Sequence, residues 1–169
     1  RDGYKVLLLD RMGRIKPCGG AIPTKALTDF AIPEEQLVAK VKSARIVSPK
    51  SRYVDMPVGE GFVGMVDREH FDEWLRDRAA LVGAERRTGT FQAIERDSDG
   101  TAVVVYRPGG KAKANKAVAK IRARAVIGAD GANSLVAKQE VPGGEDMPHV
   151  FAYHEIVKSP ADGAPTKTT

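Results

Sequence analysis

Residues 4–10, YKVLLLD, set the strongest limit on what this chain can fold into. Tyr4 to Leu9 is a short, nearly all-apolar run, the kind that suits a strand buried on both faces of a parallel sheet. Gly3 stands just before it, where a left-handed glycine ends a helix. Helix, glycine, buried strand and acidic residue, in that order, form the second half of a βαβ unit. The class expected is α/β, with a helix and a first strand upstream. The far end reads PHVFAYHEIVKSP, a strand, and then the polar coil PADGAPTKTT. On this reading the chain is a fragment of a longer fold and lacks its first strand.

Between these ends the pattern alternates. Ala21–Phe30 and Pro33–Val41 suggest short helical pieces. SARIVSP and RYVDMPV, parted by Pro-Lys-Ser, suggest a hairpin, and GFVGMV a short strand. The clearest helix is DREHFDEWLRDRAALVGA. Asp67 is its candidate N-cap, and Val66 with Phe71 has the spacing of a hydrophobic staple. Phe71, Trp74, Leu75, Leu81 and Val82 form its apolar stripe, and Gly83 supplies the stop. ERRTGTFQAIERD and TAVVVYRP flank Asp97–Gly100 as a second hairpin. Ala125–Ala129 reads as another buried strand running into DGANS, and PGGKAKANKA as a loop insertion.

Composition narrows the function classes. The 169 residues are 42% apolar, enough for a core. A single cysteine excludes an internal disulfide or a cysteine-rich zinc site, and no metal site is expected. No apolar run approaches the ~20 residues that span a bilayer. The net charge of +5 invites a polyanion. However, Lys111, Lys113, Lys116, Lys120, Arg122 and Arg124 cluster about one hairpin, and Arg76, Arg78, Arg86 and Arg87 share their neighbourhood with Asp72, Glu73 and Asp77. That placement favours a solvated or lipid-facing surface over nucleic acid.

Three places could carry chemistry. Asp10 ends a buried strand, where an adenosine ribose can hydrogen-bond to a carboxylate; many exposed strands end the same way. The turn PCGG puts Cys18 between Pro17 and two glycines, which strip away side chains so that backbone N–H groups can lie against a ligand. A tight turn with an inert buried thiol explains it as well. A nucleophilic cysteine would need a base, and none of His70, His149 and His154 is tied to it by spacing. The third place is AVIGADGANSLVAKQ, where a strand turns sharply through Asp130 and Gly131 toward Ser134. Asp130 can hold that corner or bind a sugar or water, and the amides after it can face an anion.

GADGANS resembles the Asp-Gly motif of the flavoprotein hydroxylase and reductase superfamily, whose fold is that of p-hydroxybenzoate hydroxylase. VLLLDRMGRIKPCGGAIP, GFVGMVDREHFDEWL, RRTGTFQAI and MPHVFAYHEIVKSP together resemble the geranylgeranyl reductases of chlorophyll and bacteriochlorophyll synthesis, along nearly the whole chain. The resemblance implies a partial FAD-binding, Rossmann-like domain over residues 1–147 with an added antiparallel hairpin, residues 42–58, on the substrate side. Residues 148–169 would begin the substrate-binding domain. By position, Asp10 matches the acid on the FAD ribose. Cys18, Gly19, Gly20 and Ala21 match the segment passing the flavin, and Arg68 the arginine at the helix start that reaches the cofactor. Phe91 and Gln92 fall at the adenine side, and Asp130 and Gly131 carry the Asp-Gly motif.

The activity implied is reduction of C=C bonds in a geranylgeranyl chain to a phytyl chain, with NADPH as reductant and FAD as carrier, on a diphosphate or a pigment-bound substrate. Cys18 is the candidate catalytic residue, either donating the proton or only packing against the flavin and the prenyl chain. The implied setting is cytoplasmic, with room for peripheral contact with the photosynthetic membrane. Ala137, followed by Lys138, stands where hydroxylases usually carry arginine, which tilts the reading away from that class. The alternatives are a flavin-dependent aromatic monooxygenase and a non-enzymatic basic α/β binding module.

Overall fold

The computed structural model describes residues 3–11, 15, 16, 18, 20–109, 117–151 and 153. In chain order its elements are β1 (Leu7–Asp10), β2 (Ala21–Pro23), α1 (Thr24–Asp29), β3 (Leu37–Val41), β4 (Ser43–Val47), β5 (Tyr53–Pro57), β6 (Val63–Val66), α2 (Arg68–Leu81), β7 (Glu85–Arg96), β8 (Ala102–Pro108), β9 (Ala119–Ala123) and α3 (Leu135–Glu140). The residues group into two compact units, one drawn from within Arg1–Arg14 and Arg76–Ala152, the other from within Ile15–Leu75 and Tyr153–Thr169.

The first unit is built on a four-stranded sheet in the order β1-β7-β8-β9. β1 runs parallel to β7, from Leu7 opposite Glu85 to Asp10 opposite Thr88. That pairing is the expected βαβ half. The remaining pairs are antiparallel. β8 has a neighbour on each edge, and Ala102, Val103, Val105 and Tyr106 are buried, so both of its faces are covered. The turn between β7 and β8 closes as expected, with the Gly100 N–H donating to the Asp97 carbonyl at 2.9 Å.

Three expectations for this unit are corrected. β1 is half-buried along its length rather than buried on both faces, because it lies at the edge of the described sheet, and Tyr4 and Val6 before it stand exposed. Ala125–Ala129 forms no strand. No described strand pairs with it, and Ile127 is 90% exposed; extended backbone becomes a buried strand only when neighbours satisfy its N–H and C=O groups. Residues 148–151 likewise form no strand, and Val150 and Phe151 are exposed. The rest of that expected strand, apart from Tyr153, lies outside the described residues. β9 was hidden behind the lysine-rich stretch, although Ala119, Ile121 and Ala123 alternate with Lys120 and Arg122 at the two-residue period of a strand.

The second unit holds a three-stranded sheet, β2-β6-β3, and the two-stranded hairpin β4-β5. The hairpin falls where it was expected, and Arg45 crosses it to grip Asp55 at 2.6 and 2.7 Å. Residues 33–41, expected helical, supply only a 3-10 turn at Glu34–Gln36 and then strand β3. Pairing with β6 decides this: Leu37, Ala39, Lys40 and Val41 lie opposite Val66, Met65, Gly64 and Val63. Ala21–Phe30 divides too, its first three residues joining β6 as strand β2.

Helix α2 matches its sequence signals at the start. Asp67 Oδ1 accepts the Glu69 N–H at 2.9 Å, Val66 and Phe71 are both buried, and Trp74 stacks on Phe71 with ring centroids 5.6 Å apart. The apolar stripe fails at the other end, where Leu81 and Val82 are exposed. No helix among the described residues is long and apolar enough to cross a membrane.

Candidate functional site

Strand β7 organises the candidate positions of the first unit. Its register puts Asp10, at the carboxyl end of β1, opposite Thr88. Phe91 follows three residues on, about 10 Å along the strand. Between Phe91 and Ala93 the pairing with β8 slips, so Gln92 is the extra residue of a β-bulge, a device that re-aims a side chain. Gln92 Nε2 donates to the Phe91 carbonyl at 2.8 Å, and its Oε1 accepts from Arg107 Nη2 at 3.2 Å. Neither contact was visible in the sequence.

Two residues beyond the bulge, β7 is gripped from α3. The Ile94 N–H donates to Gln139 Oε1 at 2.8 Å, and Gln139 Nε2 donates to the Ile94 carbonyl. The amide side chain thus pairs with β7 as a further strand would. Arg96 is also ion-paired with Glu140. These contacts fasten α3, and with it the Asp-Gly corner, to the sheet. Gln139→Ala leaves both Ile94 groups unpaired and should cost about 1 kcal/mol, read as a lower urea midpoint in the full-length protein.

At the corner, Asp130 is committed to its own helix. It accepts from Ser134 Oγ, from the Leu135 N–H at 2.8 Å and from the Val136 N–H at 3.4 Å. Ser134 Oγ in turn accepts the Ala137 N–H at 2.9 Å, as N-cap. The amides expected to face an anion therefore already face a carboxylate, and of the two roles open to Asp130 it performs the first, holding the corner. Gly131, at φ +89°, has open space where a side chain would project, so its backbone is accessible to a ligand.

In the second unit the turn at Cys18 is built differently from its simplest reading. Pro17 and Gly19 lie outside the described residues. Cys18 is exposed, not buried. Gly20 is buried; its carbonyl accepts the Val66 N–H at 2.9 Å, and its N–H donates to the exposed Cys18 sulfur. Ala21 then opens β2 and is exposed. Arg68, the first residue of α2, forks onto Asp72 at 2.7 and 2.8 Å, with side chains only 18% and 13% exposed. The RxxxD spacing of adjacent helical turns was the overlooked signal. The fork uses two of five guanidinium N–H donors, and the guanidinium also reaches the Cys18 sulfur.

The Gly20 N–H holds the Cys18 thiol below the usual thiol range; slight burial opposes this, and Arg68 reinforces it. Since the thiolate is the nucleophile, Cys18 should react with iodoacetamide at neutral pH faster than an unperturbed exposed thiol. Arg68→Gln should slow that reaction roughly two- to fivefold and move its pH midpoint upward. As the only cysteine of this chain, Cys18 is read directly by mass analysis of its peptide. Among the described residues no group of His, Cys, Asp and Glu could hold a metal ion. His70 is occupied with Asp67 at 3.0 Å.

What these groups offer is acceptors for hydroxyls at Asp10, a cation at Arg68, exposed backbone at Gly131 and a bulge at Gln92. Among known families, the model described as FAD binding domain matches residues 30–149.

The chain belongs to the FAD-binding domain family.

The expected partial FAD-binding fold is thereby established. A solved structure of the same fold, AlpK, superposes with a TM-score of 0.60 at 23% identity, covering 82% of this chain and 29% of that one. The resemblance seen in the sequence holds as well. The chain is 59% identical over 160 residues to the geranylgeranyl diphosphate reductase of Rhodobacter capsulatus, covering 95% of this chain and 39% of that protein. With the chloroplastic geranylgeranyl diphosphate reductase of Oryza sativa it shares 36% over 172 residues, covering 96% of this chain and 36% of that one. The chain thus spans well under half the length of these relatives.

Proposed function

We propose that this chain is the FAD-binding part of a reductase that saturates C=C bonds of a geranylgeranyl chain to give a phytyl chain, with NADPH as electron source. The observation that carries the reading is the 59% identity to the Rhodobacter capsulatus enzyme over 95% of the chain. The local chemistry supports it. Asp10 is an ionisable acceptor, half open to solvent, and ribose hydroxyls are donors. Arg68 keeps donors beyond those spent on Asp72, suited to a phosphate oxygen. Phe91 and Gln92 would meet the adenine side, and the open Gly131 backbone, held by the corner that Asp130 fixes, the pyrophosphate side. Cys18, Gly19, Gly20 and Ala21 would line the flavin.

FAD, when bound, supplies the hydride. The chain's own residues must hold it, exclude water and deliver a proton to the second alkene carbon. An unactivated alkene develops no oxyanion, so no cluster of catalytic carboxylates is required. Cys18 Sγ, polarised by the Gly20 N–H and Arg68, is the chain's candidate proton donor. Cytoplasmic placement with peripheral contact with the photosynthetic membrane belongs to the same reading.

The test uses the full-length protein with FAD, NADPH and geranylgeranyl diphosphate. A gain of two hydrogens per reduced bond by mass spectrometry, with stoichiometric NADPH loss, supports the reading. NADPH oxidation coupled to oxygen uptake on an aromatic substrate, with no prenyl product, overturns it in favour of a monooxygenase. Cys18→Ala with normal FAD content and unchanged turnover would exclude a chemical role for the thiol.

A further inference from the structure

Asp10 has a partner that no local pattern announces. Arg76, in the middle of α2, reaches it with both Nε and Nη2, each 2.5 Å from the same oxygen, Oδ2. The other oxygen, Oδ1, accepts the Arg11 N–H at 2.7 Å. A carboxylate oxygen has two lone pairs, so among the described residues Oδ1 keeps one uncommitted. The exposures differ in the same sense: the Arg76 side chain is 24% exposed and that of Asp10 43%. The cation sits behind and the acceptor in front.

We propose that Arg76 is a positioning residue for adenosine recognition. By pinning Oδ2 from the protein side it fixes the Asp10 carboxylate in one orientation and presents Oδ1 to the hydroxyls of a ribose. This rests on the FAD reading above and adds a residue to it. Without Arg76 a half-exposed aspartate rotates among its rotamers, and ordering it on binding costs affinity. The geometry also suits a diol: the nearby cation is already paired with Asp10, leaving an acceptor rather than a donor at the surface.

The experiment measures FAD affinity of the full-length apoprotein by flavin fluorescence, with FAD and with an analogue whose adenosine lacks the 2′-hydroxyl. Wild type should prefer FAD by about tenfold, the worth of one hydrogen bond to a charged acceptor. Arg76→Gln should bind FAD about tenfold more weakly and lose most of that preference. Arg76→Lys restores the charge without the fork and should recover part of both, which also covers failure of the glutamine variant to fold. In an Asp10→Ala background, Arg76→Gln should add nothing further, since the two act as one unit. An Arg76→Gln or Arg76→Lys protein with the full preference for FAD overturns the inference and leaves the FAD reading standing. Asp10→Ala retaining the preference, or a wild type that binds no FAD, overturns both the assignment of Asp10 and this inference.

Discussion

Gly20→Ala is expected to destabilise the protein by roughly 2–5 kcal/mol, the sum of a left-handed backbone penalty and an overpacking clash. Gly20 has φ +73°, a conformation costly for any residue with a Cβ. Space is the larger obstacle. A Cβ at this position would lie 2.1 Å from the Val66 carbonyl oxygen and 3.1 Å from its carbon. That carbonyl belongs to β6, the central strand of the β2-β6-β3 sheet, so it cannot swing aside as a flexible side chain would. Either β6 shifts or the turn opens. Opening the turn loses the Val66–Gly20 bond and the N–H that polarises Cys18. Gly131→Ala is the control. Gly131 also has positive φ, but nothing lies within 4 Å of the point its Cβ would occupy, so only the left-handed conformational cost of about 1–2 kcal/mol remains. Urea unfolding of both variants in the full-length protein decides the matter. Equal losses would mean that the turn does not lie against β6.

The same contrast between local and distant causes explains how much of this molecule could be read from its sequence. The hairpin turns at Pro49-Lys50-Ser51 and Asp97–Gly100 sit between alternating strands, and the cap at Asp67 precedes an amphipathic helix. These are short-range signals, and the chain obeys them. Residues 37–41 carry no local mark strong enough to choose helix or strand; pairing with β6 chooses for them. Ala125–Ala129 has the composition of a buried strand, yet composition cannot create the neighbour it needs. The site divides in the same way. Asp10, Cys18 and Asp130 stand out at turns and strand ends. The groups that hold them are Arg76 for Asp10, Arg68 for Cys18 and Gln139, through Ile94, for the Asp130 corner. Arg76 is 66 positions from Asp10, and Gln139 is 45 from Ile94. Only the tertiary fold brings such pairs together.

Asp130→Ala should cost about 2 kcal/mol, at the upper end for loss of a helix cap. Helix α3 is six residues long, too short to persist without support at its ends. Asp130 serves Ser134 Oγ and the first two amides of the helix, while Ser134 serves the third and its carbonyl accepts the Lys138 N–H at 3.1 Å. Removing the carboxylate strands two amides and frees the Ser134 hydroxyl to turn away from Ala137. Gln139 then loses its platform, and its grip on Ile94 loosens with it. The sign of the pH effect follows from the same bonds. Burial pushes the Asp130 carboxyl up, but the hydrogen bonds from Ser134, Val136, its own N–H and Leu135 together outweigh it and hold the group below the ordinary carboxylate value. A depressed folded-state value contributes stability that is complete above the unfolded value of about 3.9 and is lost as pH falls through the folded one. Wild type should therefore lose stability in acid more steeply than Asp130→Ala, and the two curves should converge once pH has fallen below the folded-state value. Asp130→Asn keeps an acceptor and the shape, so it should recover part of the loss at neutral pH without recovering the acid dependence. Parallel curves for wild type and alanine variant from neutral pH down through and well below the unfolded value of about 3.9 would show that the carboxylate does not carry the corner.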